Sequence, residues 1–168
     1  MTTYTSQIAG KLEPVESMED FLTSEEIQLP LLENQAVKVE LRKSDLEVDP
    51  QYLSQVDQAL TKLLAYPLSQ KETITMDVFG NYDEAAAAMN YGEDEDDEAE
   101  RALWSIDWEE ADKVWQYVYP TTIWVKQKTD GIFLLVQCEC EWDEEHGIQI
   151  VFKNGEEYIE VGLQHSNY

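Results

Sequence analysis

Alternating apolar and polar positions predict two groups of β-strands, one in each half of the chain. In the first half, an apolar stretch over residues 26–32 breaks at Pro30, and a strand over 36–42 follows in which every second residue is apolar. The two segments predict an antiparallel hairpin. Residues 1–22 are weakly patterned and predict a loose lead-in.

After Pro120 the pattern becomes that of β-structure and predicts four further strands, of which the second contains a long apolar run typical of a central strand. Asp130-Gly131 and Asn154-Gly155 separate apolar runs and are the dipeptides that favour tight hairpin turns. The predicted strands form a meander in which each pairs with the next, and they cover residues 121–127, 132–140, 148–153 and 158–162.

The segment between the two strand groups has helical periodicity. Asp49-Pro50 is a typical helix start, and Leu53, Val56, Leu60, Leu63 and Leu64 follow at helical spacing. Ser69 with Glu72 forms a capping box for a second helix. Ser105 or Asp107 can cap a third, short helix. We therefore expect an α+β fold, with about three helices on one face of an antiparallel sheet. Residues 23–168 would form a single domain.

Charge is the outstanding compositional feature. The chain has 168 residues, with 36 Asp plus Glu against 11 Lys plus Arg and a formal net charge of −25. Such a surface repels nucleic acid, whose phosphates require lysine and arginine, and it also repels anionic membranes. The composition therefore predicts a basic protein partner, with no direct nucleic-acid or membrane contact. The alternative is that acidity only keeps the chain soluble.

The acids are concentrated in one region. Seven of the nine residues over 92–100 are acidic, which predicts a mobile acidic loop, and more acids follow over 107–112 among the aromatic residues Trp104, Trp108, Trp115, Tyr117 and Tyr119. These aromatics suit core packing, but aromatic anchors rimmed by acid also suit an interface. The predicted partner-binding residues are Glu93, Asp94, Glu95, Asp96, Asp97, Glu98, Glu100, Asp107, Trp108, Glu109, Glu110 and Asp112.

Cys138 and Cys140 are the only cysteines, and their spacing turns both side chains to the same face of a strand. We interpret them as reduced, buried side chains in a cytoplasmic protein. The opening residues lack the basic and apolar regions of a signal peptide, and no apolar run approaches the ~20 residues of a membrane helix.

The segment Cys138-Glu139-Cys140-Glu141-Trp142-Asp143-Glu144-Glu145-His146-Gly147, followed by an apolar strand and the Asn154-Gly155 turn, resembles the signature of a family of uncharacterised bacterial domains. Its pattern is acidic-Cys-acidic-Trp-acidic-x-Glu-His-Gly. The resemblance covers about residues 25–165. It implies an accessory protein of bacterial conflict systems, of the kind that includes small cytoplasmic immunity proteins. It implies no activity and no cofactor.

Three functions remain as hypotheses. The first is an immunity-type inhibitor that neutralises a basic toxin or enzyme by electrostatic docking, without catalysis. The second is a DNA mimic, whose carboxylates occupy a nucleic-acid-binding protein. The third is a metal-dependent hydrolase that uses Asp143, Glu145 and His146, since histidine with carboxylates suits zinc or acid–base chemistry. The structural interpretation of this last cluster is that His146 and Glu145 bond the backbone of a sharp turn.

Overall fold

The structure is a computed structural model that describes residues 3–89 and 97–164. Its strands within that part of the chain are β1 (Tyr4–Ser6), β2 (Gly10–Val15), β3 (Met18–Thr23), β4 (Ile27–Leu29), β5 (Gln35–Arg42), β6 (Val118–Lys128), β7 (Gly131–Cys140), β8 (Ile148–Lys153) and β9 (Glu157–Leu163).

The strands form one mostly antiparallel sheet in the order β1-β2-β3-β5-β6-β7-β8-β9. β3 and β4 pair with opposite ends of β5, whereas β5 and β6 are parallel neighbours. The predicted α+β class is confirmed. The sheet nevertheless contains more strands than the pattern predicts, and it includes a parallel pair that joins its two halves.

The connection from β5 to β6 carries all the α-helices of the described residues. They are α1 (Lys43–Val48), α2 (Tyr52–Leu64), α3 (Lys71–Ala88) and α4 (Glu98–Leu103), with 3-10 helices at Leu68–Gln70 and Trp108–Tyr117. A further 3-10 turn, Pro30–Leu32, lies between β4 and β5. The crossover is therefore divided into more and shorter helices than the three predicted.

The core lies between the sheet and helices α2 and α3. Val56, Leu60 and Leu63 of α2 are fully buried, as are Ile74 and Val78 of α3. These side chains pack against the inward residues of β5 to β8, while Phe133, Leu135 and Val151 form a second, smaller cluster. Because successive strand residues point to opposite faces, the second cluster lies on the other face of the sheet.

The structure differs from the predicted loose lead-in over residues 1–22. Residues 4–23 form β1, β2 and β3, and the Ser6 hydroxyl donates to the carboxylate of Asp57 on α2. The amide of Gln7 donates to the same carboxylate at 3.0 Å. Apolar residues here do not keep a period of two, and Pro14 lies within β2, so the strands leave little trace in the pattern.

No helix of the described segments is both long and apolar enough to cross a bilayer.

Candidate functional site

The predicted acidic loop falls mostly outside the described residues. Glu93, Asp94, Glu95 and Asp96 lie in the segment 90–96, which the structure does not describe. Asp97 is the N-cap of α4, and its side chain accepts a hydrogen bond from the Ala99 amide at 2.9 Å. Glu98 and Glu100 follow in the first turn of that helix. This end of the predicted site is therefore helical where it is described.

The second group of predicted residues lies on the 3-10 helix Trp108–Tyr117. Asp107 is its N-cap and accepts from the Glu109 amide at 3.3 Å. Ala111 and Val114 are buried and fix the segment to the core beside α3. A 3-10 helix repeats every three residues, and this one is also kinked at Glu110.

The kink and the tighter helix separate the tryptophans that a continuous α-helix would align. Trp104 is half-buried at the end of α4, where its ring stacks on Tyr82 at 6.2 Å between centroids. Trp115 is half-buried, and its indole N–H donates to the Thr75 hydroxyl at 2.8 Å. Trp108 points outward and is 65% exposed.

Trp108 forms one wall of a cleft between α3 and the 3-10 helix. We call it the tryptophan cleft, and its volume is about 400 Å³. Met76 of α3, which is 43% exposed, adds apolar surface to its lining. The described residues that line it are Glu33, Lys71, Glu72, Thr75, Met76, Trp108, Glu109, Ala111, Asp112 and Trp115. The cleft thus combines two indole rings with a polar rim.

The rim of the tryptophan cleft is mainly acidic. Its four carboxylates come from three separate elements: the β4–β5 connection, the start of α3 and the 3-10 helix. Lys71 is the one cation among the described residues of the lining, and its Nζ lies 4.8 Å above the centre of the Trp115 ring. An ammonium at that position is attracted by the electron-rich ring face. The cleft therefore already contains a cation bound to an aromatic ring.

The structure brings together only some of the predicted site residues. Trp108, Glu109 and Asp112 line the tryptophan cleft, whereas Glu110 pairs with Lys113 at 2.7 Å. Pattern reasoning missed Glu33, Glu72 and Met76. They reach the cleft from elements distant in sequence, so no local spacing could have marked them.

A larger cleft of about 750 Å³ lies between β1, β2, β3 and α1. Both of its lysines are paired within the cleft: Lys11 with Glu13 at 2.6 Å and Lys43 with Glu47 at 3.5 Å. Its lining within the described part of the chain contains no tryptophan. The lysines of this larger cleft are thus already neutralised, and its charges are mixed. Its lining therefore indicates the chemistry of a ligand less clearly than the lining of the tryptophan cleft does.

Trp142 and Gly147 of the signature segment have structural roles. The Trp142 ring is 6% exposed, its N–H donates to Asn81 Oδ1 at 2.8 Å, and it packs edge-on against Tyr82. Gly147 has φ +60°, and a Cβ there would lie 2.4 Å from the Cys138 carbonyl oxygen. Only glycine fits this close approach in the left-handed region without strain.

Asp143, rather than the predicted Glu145, bonds the backbone of this turn. Its carboxylate accepts from the His146 amide at 3.1 Å and lies 3.1 Å from His146 Nδ1, while its carbonyl accepts from the Gly147 amide at 2.8 Å. The His146 side chain is 59% exposed. Across residues 3–89 and 97–164, no group of three or more His, Cys, Asp or Glu side chains is placed to hold a metal ion.

Both cysteines are free and buried. Burial raises the pKa of the Cys138 thiol far above its ordinary value, and it raises the pKa of Cys140 to about 11. Deprotonation would place a thiolate in an apolar environment, so both side chains stay neutral at physiological pH.

Comparison with known proteins identifies a family for this chain. The model of a family described as "Domain of unknown function (DUF6985)" matches residues 8–168, which include the signature segment and the tryptophan cleft. No curated protein and no solved structure matches.

Proposed function

We propose that this chain, which belongs to the DUF6985 family, is a cytoplasmic binding protein that docks a basic partner on the tryptophan cleft. The partner would be a toxin or enzyme, and the chain would neutralise it as an immunity-type inhibitor does. One observation carries the proposal: a tryptophan that is 65% exposed stands on a cleft lined by four carboxylates.

Exposure of Trp108 is unfavourable for the isolated chain. An aromatic side chain buries about 150–250 Å² when covered, and each Å² of apolar area contributes about 25 cal/mol. Covering most of this ring in a complex would therefore contribute about 2–4 kcal/mol before ordering costs. Single exposed apolar residues are common. Here, however, exposed Met76 extends the apolar surface into the same cleft.

The charge of the chain selects the sign of the partner. A net charge of −25 attracts a basic protein over long range and accelerates encounter, with a strong dependence on salt. Near the surface, Glu33, Glu72, Glu109 and Asp112 then meet lysine or arginine of the partner. The acids supply the encounter, and the exposed indole supplies short-range affinity.

The other two hypotheses fit the same residues less well. A DNA mimic needs ordered rows of carboxylates, but the described acids are divided between α4 and the 3-10 helix, with an indole among them. An exposed indole does not imitate a phosphate. For a hydrolase, the Asp143 carboxylate would have to leave the backbone amide that it accepts from in the His146 turn.

The test is the affinity of this protein for the product of the neighbouring gene, measured by calorimetry over a salt series. We expect affinity to fall steeply with salt. Trp108→Ala should weaken binding by about 30-fold, the effect of a typical hot-spot residue. The double variant Glu109→Gln/Asp112→Asn should mainly slow association.

Glu16→Gln/Glu19→Gln is the matched control, because it removes the same charge from exposed residues that line the larger cleft. It should change affinity little. No interaction, an interaction indifferent to salt, or equal effects of the two charge variants would refute docking at this cleft.

A further inference from the structure

We infer that the group taken by the tryptophan cleft is the guanidinium of a partner arginine. This inference rests on the function proposed above and specifies its chemistry. It starts from the two indole rings, which differ in what covers them. The Trp115 ring already has the Lys71 ammonium above it at 4.8 Å. In the described part of the chain, no cation lies over the Trp108 ring.

The vacant ring is flanked by carboxylates on its own helix. Glu109 adjoins Trp108, Asp112 lies three residues further on, beyond the kink at Glu110, and both line the cleft with the indole. Both side chains are exposed, and neither forms a salt bridge within the described residues. Their charge is therefore available to a ligand that lies against the ring.

A flat aromatic face beside a carboxylate favours arginine over lysine. The guanidinium group is planar, so it can stack on an indole while it donates two parallel hydrogen bonds to one carboxylate. An ammonium is compact and strongly hydrated, and it would lose more water for a single contact. Lys71 shows that the cleft tolerates an ammonium over Trp115, but that position is filled.

Lys71 should also lower the affinity of the cleft for an arginine ligand. Its positive charge lies in the same lining as the four carboxylates and would repel an incoming guanidinium. The Lys71→Gln variant should therefore bind an arginine ligand more tightly, by about 2- to 5-fold for a partly exposed charge. Lys38→Gln, which removes an exposed lysine from β5, is the matched control for the change in net charge.

The experiment compares fluorescein-labelled nona-arginine and nona-lysine peptides by fluorescence anisotropy, at about 0.15 M salt to limit long-range attraction. The full chain is tested as wild type, Trp108→Ala, Trp108→Tyr, Glu109→Gln/Asp112→Asn and Glu16→Gln/Glu19→Gln. We expect the wild type to prefer nona-arginine by about 3- to 10-fold, the scale of a cation–π contact. Trp108→Ala should abolish that preference, and Trp108→Tyr should keep most of it.

The outcomes separate this inference from the proposed function. Equal affinity for the two peptides, or a preference that survives in Trp108→Ala, would overturn the arginine assignment. If the Glu109/Asp112 variant then still binds the peptides more weakly than the Glu16/Glu19 control does, docking of a basic partner at the cleft stands without the arginine assignment. If the two charge variants weaken both peptides equally, the cleft is not the docking site and both proposals fail.

Discussion

Gly155 is the position where the smallest substitution should have the largest effect on stability. It has φ +74° in the turn between β8 and β9, and the turn lies directly on the backbone of α2. A Cβ at this position would be 1.8 Å from the Ala59 carbonyl oxygen and 2.9 Å from the Leu63 amide nitrogen. A carbon needs about 3.3 Å from an oxygen, so the turn would have to move about 1.5 Å.

Two unfavourable contributions then add in Gly155→Ala. A left-handed conformation costs an alanine about 1–2 kcal/mol, and an inserted methyl group in a packed contact costs about 1–3 kcal/mol. We expect the free energy of unfolding to fall by about 2–5 kcal/mol. For a chain of this size, that lowers Tm by about 10 °C. The ion pair between Lys62 and Glu156 beside the turn is exposed and would offset little of the loss.

Gly80→Ala is the matched control, because it is the same substitution in α3 and a Cβ there meets no atom within 4 Å. A glycine inside a helix is less favourable than alanine by about 0.5–1 kcal/mol, so this variant should be more stable than wild type. Urea unfolding followed by tryptophan fluorescence measures both variants. If the free energy of unfolding of Gly155→Ala lies within about 0.5 kcal/mol of the wild-type value at an unchanged m-value, the turn does not pack closely against α2.

Two further predictions concern buried groups. Because burial raises the pKa of both thiols in the folded state, their contribution to stability is complete below the pKa of the unfolded thiol and declines as pH rises from about 8.5. Cys140→Ala should therefore reduce the slope of stability against pH between about 9 and 11 by up to about 1.4 kcal/mol per pH unit. An unchanged slope would contradict a raised pKa of the Cys140 thiol in the folded state. Asn81→Ala removes the acceptor of the buried Trp142 N–H and should lower the free energy of unfolding in urea by about 1–3 kcal/mol. Asn81→Asp keeps an acceptor and should lower it less. Equal losses in the two variants would show that the hydrogen bond contributes little.

Local patterns predict much of the fold. The stripe of α2 is visible in sequence because Val56, Leu60 and Leu63 face one core. The Asn154-Gly155 turn is visible because it separates two segments rich in apolar residues, which form β8 and β9. The predicted start of this helix at Asp49-Pro50 is less accurate. The helix begins at Tyr52, and the Asp49 carboxylate accepts a hydrogen bond from the Gln51 amide just before it.

What sequence reasoning missed depends on distant contacts. The parallel pairing of β5 with β6 leaves no local signal, because each strand alternates equally well in either direction. The tryptophan cleft likewise depends on contacts between elements that are distant in sequence. Its acids were predicted where they follow one another in sequence, at Glu109 and Asp112, but Glu33 and Glu72 join them only when α3 packs beside the 3-10 helix. No residue pattern marks the kink at Glu110 or the exposure of Trp108.

The parallel β5–β6 pair has a consequence for the order of folding. Glu40 and Trp124 are partners in that pair, joined by a hydrogen bond from the indole N–H to the carboxylate, and they are 84 residues apart. Closing a flexible loop of that length costs about 4 kcal/mol of chain entropy. The antiparallel pairs β1–β2, β2–β3 and β4–β5 close much shorter loops, as do the hairpins from β6 to β9. We therefore expect the pairs within each half to form early, and the two halves to join only after the helical crossover has shortened the gap. The backbone hydrogen bonds between β5 and β6 are thus the last to gain protection from hydrogen exchange during refolding, and the tryptophan cleft, which needs the β4–β5 connection for Glu33, is complete only at that final step.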